Sequence, residues 1–303
     1  MKQTATPVPR LSIVFLNFNR EEETRKTVAQ LLRLKDRRND IEIIAVDNGS
    51  EDGTANFLAS HSAQLLPILR ADNQGIAGYN EGFERASGDY LLVLDDDSCP
   101  ADEQTLDLAM HVLDSEPDVG IVACRIETPD GDVQWSWHLP KDIDAAGPSM
   151  SFIGCGFFIR RTLFREIGWY PAQFFLYQNE VEVAIRTRLS GKQIIYQPGC
   201  RVIHRGEPAQ RPNARRIFFP TRNTLWILRR YFPPLEAAYL VASRLMIGFG
   251  RAILVRQPGA YFRAAREGLS GTIEKQMLPP AVHRDFLPFL RQNSILHHLL
   301  RRA

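Results

Sequence analysis

The chain has 303 residues, 44% of them apolar and 24% charged, with a net charge of +2. That composition is ordinary for a soluble globular protein and allows one large α/β domain with an appendage, or two domains. Cys99, Cys124, Cys155 and Cys200 are widely separated with no CxxC pair, which argues against a disulfide framework or thiolate zinc site and for a reducing compartment.

Met1 to Arg10 contains no apolar run, so no secretory signal is expected. The small net charge conceals an asymmetry. From Glu207 onward there are sixteen Lys/Arg and five Asp/Glu, a net of +11, leaving −9 for the residues before it. Such a split points to an interaction surface. Its basic residues are spread along apolar, helix-like stretches, which favours an anionic membrane surface. No nucleic-acid-binding motif accompanies them, so nucleic acid is not expected as a partner.

In chain order, residues 11–17 form a short apolar run of strand type, and Glu21 to Lys35 have helical periodicity with Val28, Leu31, Leu32 and Leu34 on one side. Residues 41–47 predict a second strand, the turn cluster Asn48–Gly53 follows, and a helix is expected around Thr54 to Ser60. Further strands are predicted at 65–70, Tyr90 to Leu94 and Val119 to Cys124, with helices over Ala77 to Ala86 and Glu103 to Leu113. This alternation predicts an α/β fold with a mostly parallel, helix-flanked sheet, whose ligands bind beyond the carboxyl ends of the strands. Asn17, Asp47 and Asp95 all fall at such ends.

The alternation then loosens. Asp130-Gly131 predicts a hairpin turn with Val133 to His138 on one arm; Phe152 to Arg160 reads as a strand, Asn179 to Leu189 as a helix, and Ile194 to Tyr196 and Arg201 to His204 as two short strands. From Arg215 the chain reads as helices broken at Pro233-Pro234, Pro258-Gly259 and Pro279-Pro280. Within 235–255, Arg244 and Arg251 interrupt the apolar residues, so a packed or surface-lying helix is expected rather than a span.

Three features carry chemistry. Asp95, Asp96 and Asp97 close an apolar strand. Adjacent carboxylates repel, and oxygen-only ligands suit Mg²⁺ or Mn²⁺ together with substrate phosphates. Strand alternation would put Asp95 and Asp97 on one face and Asp96 on the other. Asp47 to Thr54 is a strand-to-helix turn, and Asn73 to Gly82 holds glycines ahead of a helix N-terminus that favours anions.

In this order and at these strand ends, the three resemble the family 2 glycosyltransferases, an inverting group with the GT-A fold; Arg222-Asn223, ahead of the helix to Phe232, resembles a recurrent feature of its bacterial rhamnosyl- and galactofuranosyltransferase-like members. The resemblance covers roughly residues 10–230 and includes Ser12 to Arg20 and Phe174 to Arg186. It implies a catalytic domain over 1–214, with a nucleotide-sugar half at 1–126 and an acceptor half at 127–214, followed by a helical basic region at 215–303. It implies that Asn17, Asp47, Asn73, Gly75, Asn80, Asp95 and Asp96 line the donor site, that Asp95, Asp97 and His204 hold Mg²⁺ or Mn²⁺, and that Glu180 is the catalytic base. The family usually has Glu-Asp at the position of Asn179-Glu180, so this chain departs there. Gly154, Trp135, Trp137, Trp169 and Tyr177 are expected on the acceptor side. The implied reaction moves a sugar from a UDP- or dTDP-linked donor to a glycan or lipid-linked acceptor at the inner face of the cytoplasmic membrane. A catalytically impaired binding module and a sugar-phosphate nucleotidyltransferase are the competing readings; the second lacks its early glycine-rich loop, since Asn17-Phe18-Asn19-Arg20 contains no glycine.

Overall fold

The computed structural model describes residues 8–134, 139–206, 213–292, 294, 295 and 297. Trp135 and Trp137, expected on the acceptor side, lie outside them. The described chain divides into two compact units, Met1–Ala172 with Val183–Gly206, and Gln173–Glu182 with Glu207–Ala303.

The first unit is built on apolar runs that fold as buried strands. Among the described residues these are β1 (Leu11–Asn17), β2 (Ile41–Asp47), β3 (Leu66–Leu69), β4 (Tyr90–Asp95), β5 (Ser98–Pro100), β6 (Val119–Glu127), β7 (Gly147–Pro148), β8 (Gly156–Arg160) and β9 (Gln193–His204). They form one sheet in the order β3-β2-β1-β4-β8-β6-β9-β5, with β7 paired to β9. β1, β2, β3 and β4 are mutually parallel where they pair, and β6 is parallel to β9. β8 is antiparallel to both its neighbours, as β5 is to β9. The core side chains Ile13, Phe15, Ile43, Leu92, Leu94 and Val122 are sealed from solvent to within 1%. Burial of this kind stabilises by roughly 1.5–3 kcal/mol per large side chain.

Helices α1 (Glu21–Lys35), α2 (Thr54–Ser60), α3 (Gly78–Arg85), α4 (Glu103–Ser115) and α5 (Arg161–Glu166) belong to this unit. α1 opens on Glu21, Glu22 and Glu23 and closes on Arg33 and Lys35, the charge order that complements the helix dipole. α4 starts where the Asp102 side chain accepts from Thr105 N. α6 (Asn179–Leu189) has its first four residues in the second unit and the remainder in the first.

The second unit holds α7 (Asn213–Tyr231), α8 (Pro234–Leu254), α9 (Pro258–Leu269) and α10 (Pro280–Gln292). The last three begin at the prolines that predicted their breaks, because proline suits a first helical turn whose N–H groups are unpaired anyway. Two expectations change. The two short strands at 194–196 and 201–204 are one strand, β9, which carries Pro198-Gly199 through an irregular register against β6 between Cys124 and Arg125. Phe152 to Cys155 precede β8 rather than forming part of it.

Candidate metal and nucleotide site

Register sets the site. β1 pairs Asn17 with Asp47 and Leu16 with Asp95, so the carboxyl ends of three parallel strands lie level. β5 then runs antiparallel to β9 with Ser98 opposite His204, which carries Asp97 up to the histidine. One ligand atom each from Asp95, Asp97 and His204 lie within 4.8 Å of one another. β4 ends at Asp95, and Asp96 and Asp97 form a turn. Strand alternation therefore does not separate the acids as expected. The turn instead brings Asp97 to His204, while Arg20 bridges Asp96 and Asp97.

Each ligand is held from behind. Tyr79 Oη donates to Leu94 O (2.6 Å) and to Asp95 Oδ1 (3.0 Å). Burial, then the Asp95 charge, pushes the Tyr79 phenol well above its ordinary pKa, so it stays a donor. His204 Nδ1 lies 2.9 Å from Gln134 Oε1. With that oxygen as acceptor, Nδ1 carries a proton, which leaves Nε2 as the atom that could hold a metal. His204 Nε2 is 3.2 Å from Asp97 Oδ1. That oxygen is buried and receives no aligned hydrogen bond from the described residues.

Burial would lower the His204 pKa, but Asp97 and the Cys155 thiol outweigh it and push it up to about 11. Burial would likewise raise Asp97, yet His204 and Arg20 hold it down at about 2. Arg20 follows β1, and its Nη1 donates to Asp96 Oδ1 at 2.8 Å and Asp97 Oδ2 at 2.5 Å. Three acids thus face one imidazole and one guanidinium, and the one-acid excess suits a divalent cation. Gly206 leaves the space: a Cβ there would stand 2.6 Å from His204 Nε2 and 2.9 Å from Asp97 Oδ2. The hard N/O donor set and this glycine gap fit Mg²⁺ or Mn²⁺.

Beside the acids, Asp47 is 1% exposed; its Oδ2 accepts from Ser50 N at 3.1 Å. Its Oδ1 is buried with no hydrogen bond from a described residue. An unmet buried acceptor costs about 1–3 kcal/mol, which a ligand N–H would recover. Asn48 Nδ2 donates to Asn73 Oδ1 and to Gly75 O, both at 3.0 Å, and Asn73 Oδ1 also accepts from Gly75 N at 2.8 Å. Gly75, at φ 59°, turns that loop. Gly78 permits it, since a Cβ there would meet Asn48 Oδ1 at 2.5 Å.

Other predicted residues spend their polar groups on the fold. Asn17 Nδ2 donates to Val46 O and its Oδ1 accepts from Thr24 Oγ1. Asn80 donates to Tyr170 O and accepts from Tyr170 N. The Trp169 ring packs on Phe83 and Phe164. Gly154 sits in the turn before β8. Arg20, Asn48, Gln134 and Gly206 were not singled out from the sequence. Glu180 and Tyr177 belong to the second unit. There Asn223 Nδ2 donates to Phe174 O, Leu176 O and Tyr177 O at 3.0, 2.9 and 2.8 Å. These bonds pin a segment in which Phe175, Tyr177 and Gln178 all have positive φ, directly before α6. Arg222 adds bonds to Gln173 O and Phe174 O.

Several known proteins are similar to this chain. The chain is 30% identical over 120 residues to Uncharacterized glycosyltransferase YfnE of Bacillus subtilis, covering 39% of this chain and 30% of that protein. It is 24% identical over 236 residues to O-antigen biosynthesis protein RfbC of Myxococcus xanthus, covering 68% of this chain but 18% of that protein. The chain therefore spans less than a third of either relative. Among solved structures, the mannosyltransferase PcManGT from Pyrobaculum calidifontis, in complex with GDP-Man and Mn²⁺, superposes with a TM-score of 0.59 at 18% identity, covering 94% of this chain and 81% of that one. S. aureus TarS 1-349 superposes with a TM-score of 0.62 at 13% identity, covering 94% and 86%. GalNAc-T7 with UDP, GalNAc and Mn²⁺ gives 0.62 at 16% identity, covering 78% and 51%. These likenesses identify the architecture as the GT-A fold. Residues 12–184, more than half of the sequence, match Glycosyl transferase family 2, and the chain belongs to that family.

Proposed function

We propose that the chain is an inverting, metal-dependent glycosyltransferase that moves a sugar from a UDP- or dTDP-linked donor to a hydroxyl of a glycan or lipid-linked acceptor, working at the inner face of the cytoplasmic membrane. The observation that carries this reading is the convergence of Asp95, Asp97 and His204 on the sheet edge that also presents the buried, unmet Asp47 Oδ1. Asp47 accepts from the pyrimidine base, and the Asn73–Gly75 loop, held by Asn48, lines the nucleotide pocket. Asp95, Asp97 and His204 hold Mg²⁺ or Mn²⁺, with Tyr79 and Gln134 fixing their orientation. When bound, that ion supplies Lewis-acid neutralisation of the leaving diphosphate. Glu180 takes the proton of the acceptor hydroxyl, a contribution of roughly 10²–10⁴ in rate. One displacement inverts the anomeric carbon. The Mn²⁺ and nucleotide or nucleotide sugar bound by PcManGT and GalNAc-T7 support a nucleotide-sugar donor and a divalent metal in general, and the O-antigen role in the name of the M. xanthus relative supports a cell-surface glycan.

Isothermal titration with UDP or dTDP, with and without Mn²⁺, tests the site. Binding should require the metal, and Asp97→Ala should remove that dependence. Metal-independent binding that ignores this substitution would remove the metal from the proposal.

A further inference from the structure

Helix α8 exposes the wrong residues for a helix facing water. Its solvent-facing stripe, at helical spacing, is Leu235, Ala238, Ala242, Met246, Phe249 and Ile253, with no polar side chain among them. Leu235 is 89% exposed, Met246 65% and Ile253 50%. At the far end the stripe widens. Leu254 is 84% exposed, and the Phe249 ring meets Phe262 of α9 at 5.8 Å, itself 59% exposed. Such a surface on a soluble monomer marks a binding site.

The surrounding charge selects its partner. Residues 237–266 contain five arginines and no Asp or Glu. Arg251 and Arg256 bracket Ile253-Leu254, Arg263 follows Phe262, and Arg266 lies one turn on; all four are exposed.

α8 is long and apolar enough to cross a membrane, with a mean hydropathy of 1.4 and 22% of that window buried. Its other face argues against crossing. Ala237, Leu240, Ser243 and Ala252 are buried, and the Arg244 guanidinium donates to Leu290 O of α10. The opening turn is tied to α10 through Glu236, which meets His283 Nε2 at 2.5 Å and Arg291 at 3.3 Å. A spanning helix would surrender this packing and place Arg244 near the bilayer centre.

We infer that the exposed stripe of α8, with Phe262 and the arginines at its end, lies in the plane of a membrane and inserts into one leaflet rich in anionic lipid. This inference rests on the reading of an enzyme that meets its acceptor at a membrane face, and it names the surface that brings it there. The apolar stripe enters the acyl boundary while the arginine stems keep their guanidinium groups at the headgroups.

The test is co-sedimentation of the full chain with phosphatidylcholine vesicles containing or lacking phosphatidylglycerol. Wild type should bind only the anionic vesicles, and added salt should weaken binding. The variant Phe249→Ser/Ile253→Ser/Phe262→Ser should lose at least tenfold in partitioning. Arg256→Gln/Arg263→Gln should lose about 30-fold, from roughly five-fold per arginine. The four native cysteines are buried, so an environment-sensitive dye on Ile253→Cys reports this site alone and should shift to the blue on anionic vesicles. Unaltered partitioning of both variants, or an unshifted dye, overturns the inference. So does a light-scattering dimer that the serine variant dissolves while wild type ignores vesicles; the occupant would then be a second copy. Metal-dependent cleavage of a nucleotide sugar, measured without lipid, separates the two claims: the variants should keep it. Its absence in every protein, with vesicle binding intact, would refute the transferase reading and leave the surface standing.

Discussion

Raising the pH should strengthen metal binding, because the cation competes with a proton on His204. In the metal-free site the imidazole sits between Gln134 Oε1 and Asp97 Oδ1, and its pKa stands at about 11 against an ordinary 6.5. A metal ligand must give up its Nε2 proton. At pH 7.5 the gap to about 11 makes that deprotonation cost roughly 5 kcal/mol, at about 1.4 kcal/mol per pH unit. Asp97, held at about 2, is ionised throughout and adds no slope. Mn²⁺ affinity should therefore rise about tenfold per pH unit between pH 6.5 and 8.5. Calorimetry in buffers of different ionisation enthalpy should show about one proton released per ion. His204→Asn should flatten the slope. A pH-independent affinity with no proton release in the wild type would refute the assignment of His204 as ligand.

Other consequences follow from the same geometry. The metal-free chain keeps the His204 contribution to stability in full below pH 6.5 and loses it as pH rises through about 11; the Asp97 contribution is present above 3.8 and lost as pH falls through about 2, so denaturant melts should peak between. Gln134→Ala should lower Mn²⁺ affinity by roughly 10–100-fold with little change in Tm, the usual result of losing the group that orients a metal-bound histidine. Gly206→Ala puts a methyl group 2.6 Å from His204 Nε2 and should abolish Mn²⁺ binding in calorimetry while circular dichroism stays native. Tyr79→Phe removes the donor to Leu94 O and Asp95 and should cost about 1–2 kcal/mol by urea melt. Glu180→Gln should leave UDP binding intact and lower transfer by roughly 10²–10⁴; full activity in that variant would remove Glu180 as base.

Much of the fold was legible because its signals are local. Residues 11–17 and 41–47 are apolar runs with polar ends, and 21–35 and 179–189 carry helical periodicity; all four fold as elements with those bounds. Pro198-Gly199 misled, since proline normally ends a strand, whereas here the irregular register against β6 absorbs it. The antiparallel placement of β8 between β4 and β6 depends on pairings far apart in sequence, which no local pattern encodes. The site divides in the same way. Asp95, Asp97 and His204 are chemically conspicuous types at strand ends. Arg20 reaches Asp96 from 76 positions away and Gln134 reaches His204 from 70, so neither announces itself. The exposed stripe of α8 was legible only as an apolar stretch interrupted by Arg244 and Arg251. Which face packs inward is set by contacts with α7 and α9, which no local pattern encodes.

The most direct test offers the intact chain a panel of UDP-, dTDP- and GDP-sugars with Mn²⁺ and follows nucleoside diphosphate release by mass spectrometry. The account predicts release from a UDP- or dTDP-sugar that stops on chelation and in Asp97→Asn. Release that survives both, or no release from any donor with the metal bound, would contradict it.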